Sequence, residues 1–154
     1  MTGSSEDFLM RWRDYTRQMA EEPLNLGYTL SSENALRMLL QDYYPQVLRQ
    51  LDTIKESPDC MAKVLYTLAH LDATFVSERP EILQFVATSL THAHPFVQYL
   101  AVNAFEQWRG QTAQCALLTF LGDAPPWLTE YVRQVLWELE EEISSHDSSD
   151  STSI

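Results

Sequence analysis

Three stretches of this chain carry the same apolar stripe, and that recurrence limits the fold more than any other feature. In residues 94–110, HPFVQYLAVNAFEQWRG, the residues Val97, Leu100, Ala101, Ala104, Phe105 and Trp108 lie along one side of a helix. Met61, Val64, Leu65 and Leu68 repeat its first four positions 36 residues earlier, and Val132, Val135, Leu136 and Leu139 repeat them 35 residues later. A helix-starting proline marks each stretch: Pro58, Pro95 and the pair Pro125-Pro126. Proline suits a first helical turn because the N–H it lacks would have no partner there, and Gly110 suits the left-handed position past the central helix. The two alanines of the central stripe admit a neighbouring helix at close range. Self-similarity at about 35 to 45 residues, each unit a pair of helices, is the pattern of stacked helical repeats.

The residues that carry the repeat also carry a resemblance. The segment PFVQYLAVNAF, residues 95–105, resembles the second helix of a HEAT repeat, where a proline or acidic start leads to a valine, a polar residue and then spaced small residues. Val132-Arg133 is similar to the Val-Arg pair of the same helix, with Leu136 and Leu139 standing where the pattern has alanines. The resemblance covers roughly residues 58–143. It implies an all-α fold, a HEAT-like α-helical hairpin stack or α-solenoid of about seven or eight helices. Residues 1–143 then form a single domain, with 58–143 as repeat-like hairpins and 1–57 as N-terminal capping helices. Such stacks serve many unrelated tasks, so the fold by itself implies no activity.

A chain of 154 residues is long enough to bury a core as one domain. Its formal charge of −12 would repel a polyanionic backbone, and the ten Lys and Arg residues are scattered. Nucleic acid is therefore excluded as an expected partner, whereas a basic protein is compatible. The opening residues lack a basic segment followed by an apolar one, and no run of about 18 apolar residues exists. No signal peptide, no membrane association and a cytoplasmic location are expected. Cys60 and Cys115 fall in apolar helical settings and are expected to be buried as small hydrophobes.

Taken in order, Ser4 or Ser5 is placed to cap a first helix from about Glu6 to Glu22, with Phe8, Leu9, Trp12, Tyr15 and Met19 inward. Arg11, Arg13 and Arg17 lie off that face and are read as a solvated flank. Residues 23–30, PLNLGYTL, break the helix and are expected to pack in extended form. Ser31 or Ser32 then caps a second helix, Pro45 starts a third, and Ser57 caps a helix from Asp59 to about Ala73. Pro80 opens a further helix that turns at residues 91–94 into the central one. A shorter helix spans Thr112 to Leu121, and the last runs from about Trp127 to Ile143. Four glutamates near its end, at 138 and 140–142, have the wrong sign for a helix C-terminus, which predicts fraying unless a basic partner compensates. Residues 144–154, SSHDSSDSTSI, are too polar to bury a core and are expected to form a disordered tail.

Catalytic chemistry finds no support in motifs. The chain has no G-x-S-x-G, no H-E-x-x-H, no glycine-rich phosphate loop and no C-x-x-C, and four glycines are few for wrapping a phosphate. His92 and His94 are the only clustered histidines; further ligands at metal spacing are missing, so no metal and no cofactor are expected, and His94 is read as touching the backbone at the helix start. A non-enzymatic protein-binding module is the first expectation, an acidic immunity, inhibitor or adaptor protein for a basic protein partner. Trp, Tyr and Arg dominate interface energies, which singles out Tyr99, Trp137 and Arg133, with Gln98, Glu130 and Glu138 beside them, as the binding face. The alternative is a small-molecule or chromophore handler resembling HEAT-like bilin lyases, which would need an apolar pocket near His92 and Cys115. A DNA-repair enzyme resembling the HEAT-like alkylpurine glycosylases would need a basic concave face, which the charge opposes.

Overall fold

The computed structural model of the chain describes the backbone of residues 2–152 and the side chains of residues 6–142. Within these the protein is all-α. Nine α-helices follow one another: α1 (Thr2–Glu21), α2 (Glu33–Asp42), α3 (Tyr44–Leu51), α4 (Pro58–Ala69), α5 (Ala73–Ser77), α6 (Pro80–Ser89), α7 (Pro95–Trp108), α8 (Gly110–Leu121) and α9 (Pro126–Thr152). The chain divides into two compact units, Met1–Leu71 and Asp72–Ile154.

In the first unit α1 packs against α2 and α4, and α2 against α3. Phe8, Trp12, Tyr15 and Met19 form the buried stripe of α1, while Leu9 stays half exposed. The expected inward set is therefore right except for Leu9, which lies about 100° of helix rotation from Phe8. From Met61 to Ala69, α4 is buried on every side, and this includes Lys63. Its ammonium donates to the carbonyls of Met19 at 3.0 Å and Ala20 at 3.3 Å and pairs with Asp59 at 3.0 Å. The Met19 carbonyl also accepts from Glu22 N at 3.3 Å, just past the helix, and the buried cation adds a second donor there and meets the negative end of the helix dipole.

The arm at residues 23–30 is held the same way, by polar groups from elsewhere. Tyr66 Oη accepts from Gly27 N at 3.0 Å and donates to the carbonyl of Tyr28 at 2.7 Å. Gly27 sits at φ 96°, a left-handed conformation that glycine adopts without strain. Ser32 occupies the cap position of α2 but makes no side-chain cap bond, and just ahead of the helix the carboxylate of Glu22 accepts from the N–H groups of Ser31 at 2.6 Å and Ser32 at 3.2 Å. Desolvation pushes the Glu22 carboxyl upward, but these serine N–H and hydroxyl bonds together hold it below the ordinary carboxylate value.

In the second unit α5 packs on α6, α6 on α7, α7 on α8 and α9, and most extensively α8 on α9. All six residues of the α7 stripe are buried, as are Leu128, Val132, Val135, Leu136 and Leu139 of α9. The helix count exceeds the expected seven or eight, chiefly because α4 stops at Ala69 and a separate α5 follows. Asp72 causes the break, its side chain accepting from Thr74 N at 2.9 Å as the cap of α5. At the end of α7 the left-handed residue is Arg109, φ 58°, one position before the expected glycine; Gly110, φ 87°, already opens α8.

The last helix continues through Thr152, past the expected end at Ile143 and into the stretch read as a disordered tail. No proline or glycine between residues 144 and 152 interrupts backbone hydrogen bonding. Ser153 and Ile154 lie outside the described residues. Among the described residues no helix is long and apolar enough to cross a membrane.

Replacing Lys63 by methionine keeps the buried stem and removes the charge. Urea unfolding should show a loss of about 1–3 kcal/mol, the cost of leaving buried acceptors short of partners; an unchanged midpoint would contradict the capping role.

Candidate functional site

The best-formed surface in the second unit is a row of aromatic rings on α7 and α9. Phe96, Tyr99, Asn103 and Glu106 are spaced three, four and three residues apart, on the side of α7 turned away from Val97, Ala101, Ala104 and Trp108. The stripe needs the other side for the core, so these four are left for solvent or a partner. The rings of Phe96 and Tyr99 are 6.3 Å apart and 16° from parallel, and Tyr99 lies 5.3 Å from Tyr131 of α9 at 31°. These separations fall within the range of favourable ring pairing.

The row ends on a carboxylate. Tyr131 Oη donates to Glu106 Oε1 at 2.5 Å, and Asn103 Nδ2 reaches Glu106 Oε1 at 3.4 Å and Tyr131 Oη at 3.3 Å. Burial, reinforced by the bond to Glu106, pushes the Tyr131 phenol well above its ordinary value, with Asn103 opposing weakly. The phenol therefore remains a donor, which fixes both its ring and the carboxylate it holds. Asn103, Glu106 and Tyr131 are all half-buried: reachable, yet less screened than on an open surface.

The six residues selected from the sequence divide between this row and other surroundings. Tyr99 is in the row. Glu138 is half-buried on the Tyr131 side of α9, seven residues on. Gln98 is occupied structurally, donating through Nε2 to the Leu90 carbonyl at 2.9 Å. Glu130, Arg133 and Trp137 are exposed, Trp137 at 60%, on the side of α9 opposite Leu128, Val132 and Leu139. The sequence reading missed Phe96, Asn103, Glu106 and Tyr131 as one cluster. The Tyr131 hydroxyl is directed to Glu106, a pairing across two helices that spacing along one helix does not reveal.

Other chemistry-bearing residues are also placed. Cys60 is half-buried and Cys115 exposed, which corrects the expectation of two buried thiols. Cys115 lies in a groove between α6 and α8; His92 is not among the residues lining it. His94 occupies the cap position of α7 without a side-chain cap bond, and it is the His92 ring that accepts from His94 N at 3.0 Å. Glu142, one of the glutamates expected to fray α9, forms an ion pair and hydrogen bond with Arg109 Nε. The chain thus supplies a compensating base itself, across the junction of α7 and α8. Among the described residues no cluster of three or more His, Cys, Asp or Glu side chains could hold a metal ion.

No protein-family model, curated protein or solved structure matches this chain.

The raised Tyr131 pKa has a definite sign in a stability experiment. The phenol ionises near pH 10 in the unfolded chain and higher when folded, so its contribution is fully present below about pH 10 and is lost as pH rises through the folded value. Tyr131→Phe should therefore narrow the stability difference between neutral pH and about pH 11 relative to wild type. Chemical denaturation of both proteins across that interval provides the check, and identical pH profiles would refute it.

Proposed function

We propose that this chain is a non-enzymatic protein-binding module, and that the α7–α9 row receives a basic segment of a protein partner. The observation that carries the reading is the continuous run Phe96, Tyr99, Tyr131 ending on the braced carboxylate of Glu106. Aromatic faces attract an arginine or lysine head group, and a carboxylate at the end of the row gives that cation a hydrogen-bonding acceptor. The formal charge of −12 favours a basic partner further by drawing it in over longer range.

In this reading α6 with α7 and α8 with α9 are two units of a HEAT-like stack, the architecture suggested by the repeated stripe. Their second helices, α7 and α9, are then the ones whose free sides line an extended binding surface. The rings and carboxylates of the row suit recognition by stacking and charge, the way an inhibitor, immunity protein or adaptor engages a basic target.

An affinity capture at low and high salt tests the proposal. A basic protein should be retained by wild type at low salt and released at high salt, since exposed charge pairs are screened. Tyr99→Ala and Glu106→Gln should each weaken binding of that protein by about 1–3 kcal/mol, whereas Trp137→Ala, on the far side of α9, should leave it within about 0.5 kcal/mol. Calorimetric titration of the captured protein measures all three. Retention that ignores both salt and the two row variants would sink the proposal.

A further inference from the structure

Between α6 and α8, on residues the aromatic row does not use, lies a groove of about 390 Å³. Ala87 and Leu90 wall it from the α6 side and Cys115, Ala116 and Phe120 from α8, with Asp123 just past the α8 end. The volume is within the range of small-molecule sites, roughly 300–1,000 Å³. Leu90 and Phe120 are buried and the two alanines half-buried, so the floor is apolar and short side chains leave the space open.

The electrostatics of the groove favour one sign. Ala87 and Leu90 belong to the C-terminal end of α6, and residues 115–123 to the second half of α8 and the turn after it. A helix C-terminus carries a partial negative charge of about half an electron, normally offset by a basic residue in the last turn. Neither α6 nor α8 has one, and no Lys or Arg lines the groove. Asp123 adds a full negative charge, exposed and without an ion pair among the described residues.

Of the other polar groups, two hydroxyls and one carbonyl already bond within the chain, and the Cys115 thiol is exposed. Thr119 Oγ1 donates to the Cys115 carbonyl at 3.0 Å, Thr91 Oγ1 to the Thr88 carbonyl at 3.0 Å, and the Leu90 carbonyl accepts from Gln98. What the groove offers a ligand is therefore an apolar floor, the exposed Cys115 thiol and one carboxylate at a negative helix end. We propose that it binds a small organic cation with an apolar body, of the primary alkylammonium class, the alkyl chain lying over Leu90, Ala116 and Phe120 and the ammonium at Asp123. This goes beyond the protein-binding reading, since it concerns other residues and another class of ligand, and either can fail without the other.

Nuclear magnetic resonance titration of the isotope-labelled full chain with hexylammonium, hexanol and hexanoate separates charge from apolarity. Saturable shifts at the amides of Ala87, Leu90, Cys115 and Ala116 are expected with hexylammonium, which should bind roughly threefold or more tighter than hexanol. Hexanoate should leave these signals in place. Asp123→Asn, an exposed substitution, should narrow the gap between hexylammonium and the alcohol, leaving only what the helix ends contribute. Equal affinity of the ammonium and the alcohol for wild type would overturn the proposal, as would an absence of shifts in the groove or an unchanged preference in Asp123→Asn.

Discussion

The close approach of other helices to α7 is the constraint on which the second unit depends. That helix packs on α6, α8 and α9, and it does so through a stripe in which two of six positions are alanine. Ala101 and Ala104 are fully buried, so the backbone of α7 is approached where a larger side chain would hold a neighbour away. Leu100, Phe105 and Trp108 fill the space around them. Once that side of α7 is committed to the core, helical periodicity leaves Phe96, Tyr99, Asn103 and Glu106 together on the other. The aromatic row is thus a consequence of the same packing that stabilises the unit, and Tyr131 completes it because α9 lies against α7.

Polar groups settle what the apolar stripes leave open. In the first unit the arm at residues 23–30 has no helix of its own to hold it: Tyr66 fastens its backbone, Glu22 that of the two residues after it, and Lys63 the adjoining end of α1. Each side chain satisfies backbone groups that a helix end or an irregular segment would otherwise leave unpaired. The second unit uses the same device at the junction of α7 and α8. Arg109 adopts a left-handed φ of 58°, a conformation that a non-glycine residue tolerates only when its surroundings fix it, and its backbone N–H still closes on Phe105 O at 2.9 Å. Its guanidinium is tied to Glu142 of α9.

The periodic features were the ones legible in the sequence. The all-α class, the prolines at the starts of α4, α6 and α7, and the buried stripes of α1, α7 and α9 follow from spacing alone, since a stripe of this kind has one way to be buried. What spacing does not encode is long-range partnership. Glu22 ties down the backbone of Ser31 and Ser32 ahead of α2 from nine and ten residues away, and nothing local distinguishes it from any other glutamate at a helix end. Glu142 was read as a liability because its partner, Arg109, lies 33 residues earlier. The break before α5 was accessible, since Asp72 two residues before a threonine is an ordinary cap, but the continuing apolar pattern masked it.

The candidate surface was half legible for the same reason. Tyr99 could be found from its position beside the α7 stripe, but Glu106 and Tyr131 gain their meaning from each other, across two helices 25 residues apart in sequence. Trp137, by contrast, stands out by composition and is exposed, yet no ring or ion pair among the described residues joins it to a second helix. An isolated exposed ring offers contact area, whereas a ring held by neighbours on both sides offers area in a fixed orientation, with less side-chain entropy left to lose on binding. The difference in preorganisation, rather than in residue type, makes the α7–α9 row the stronger candidate surface of the two.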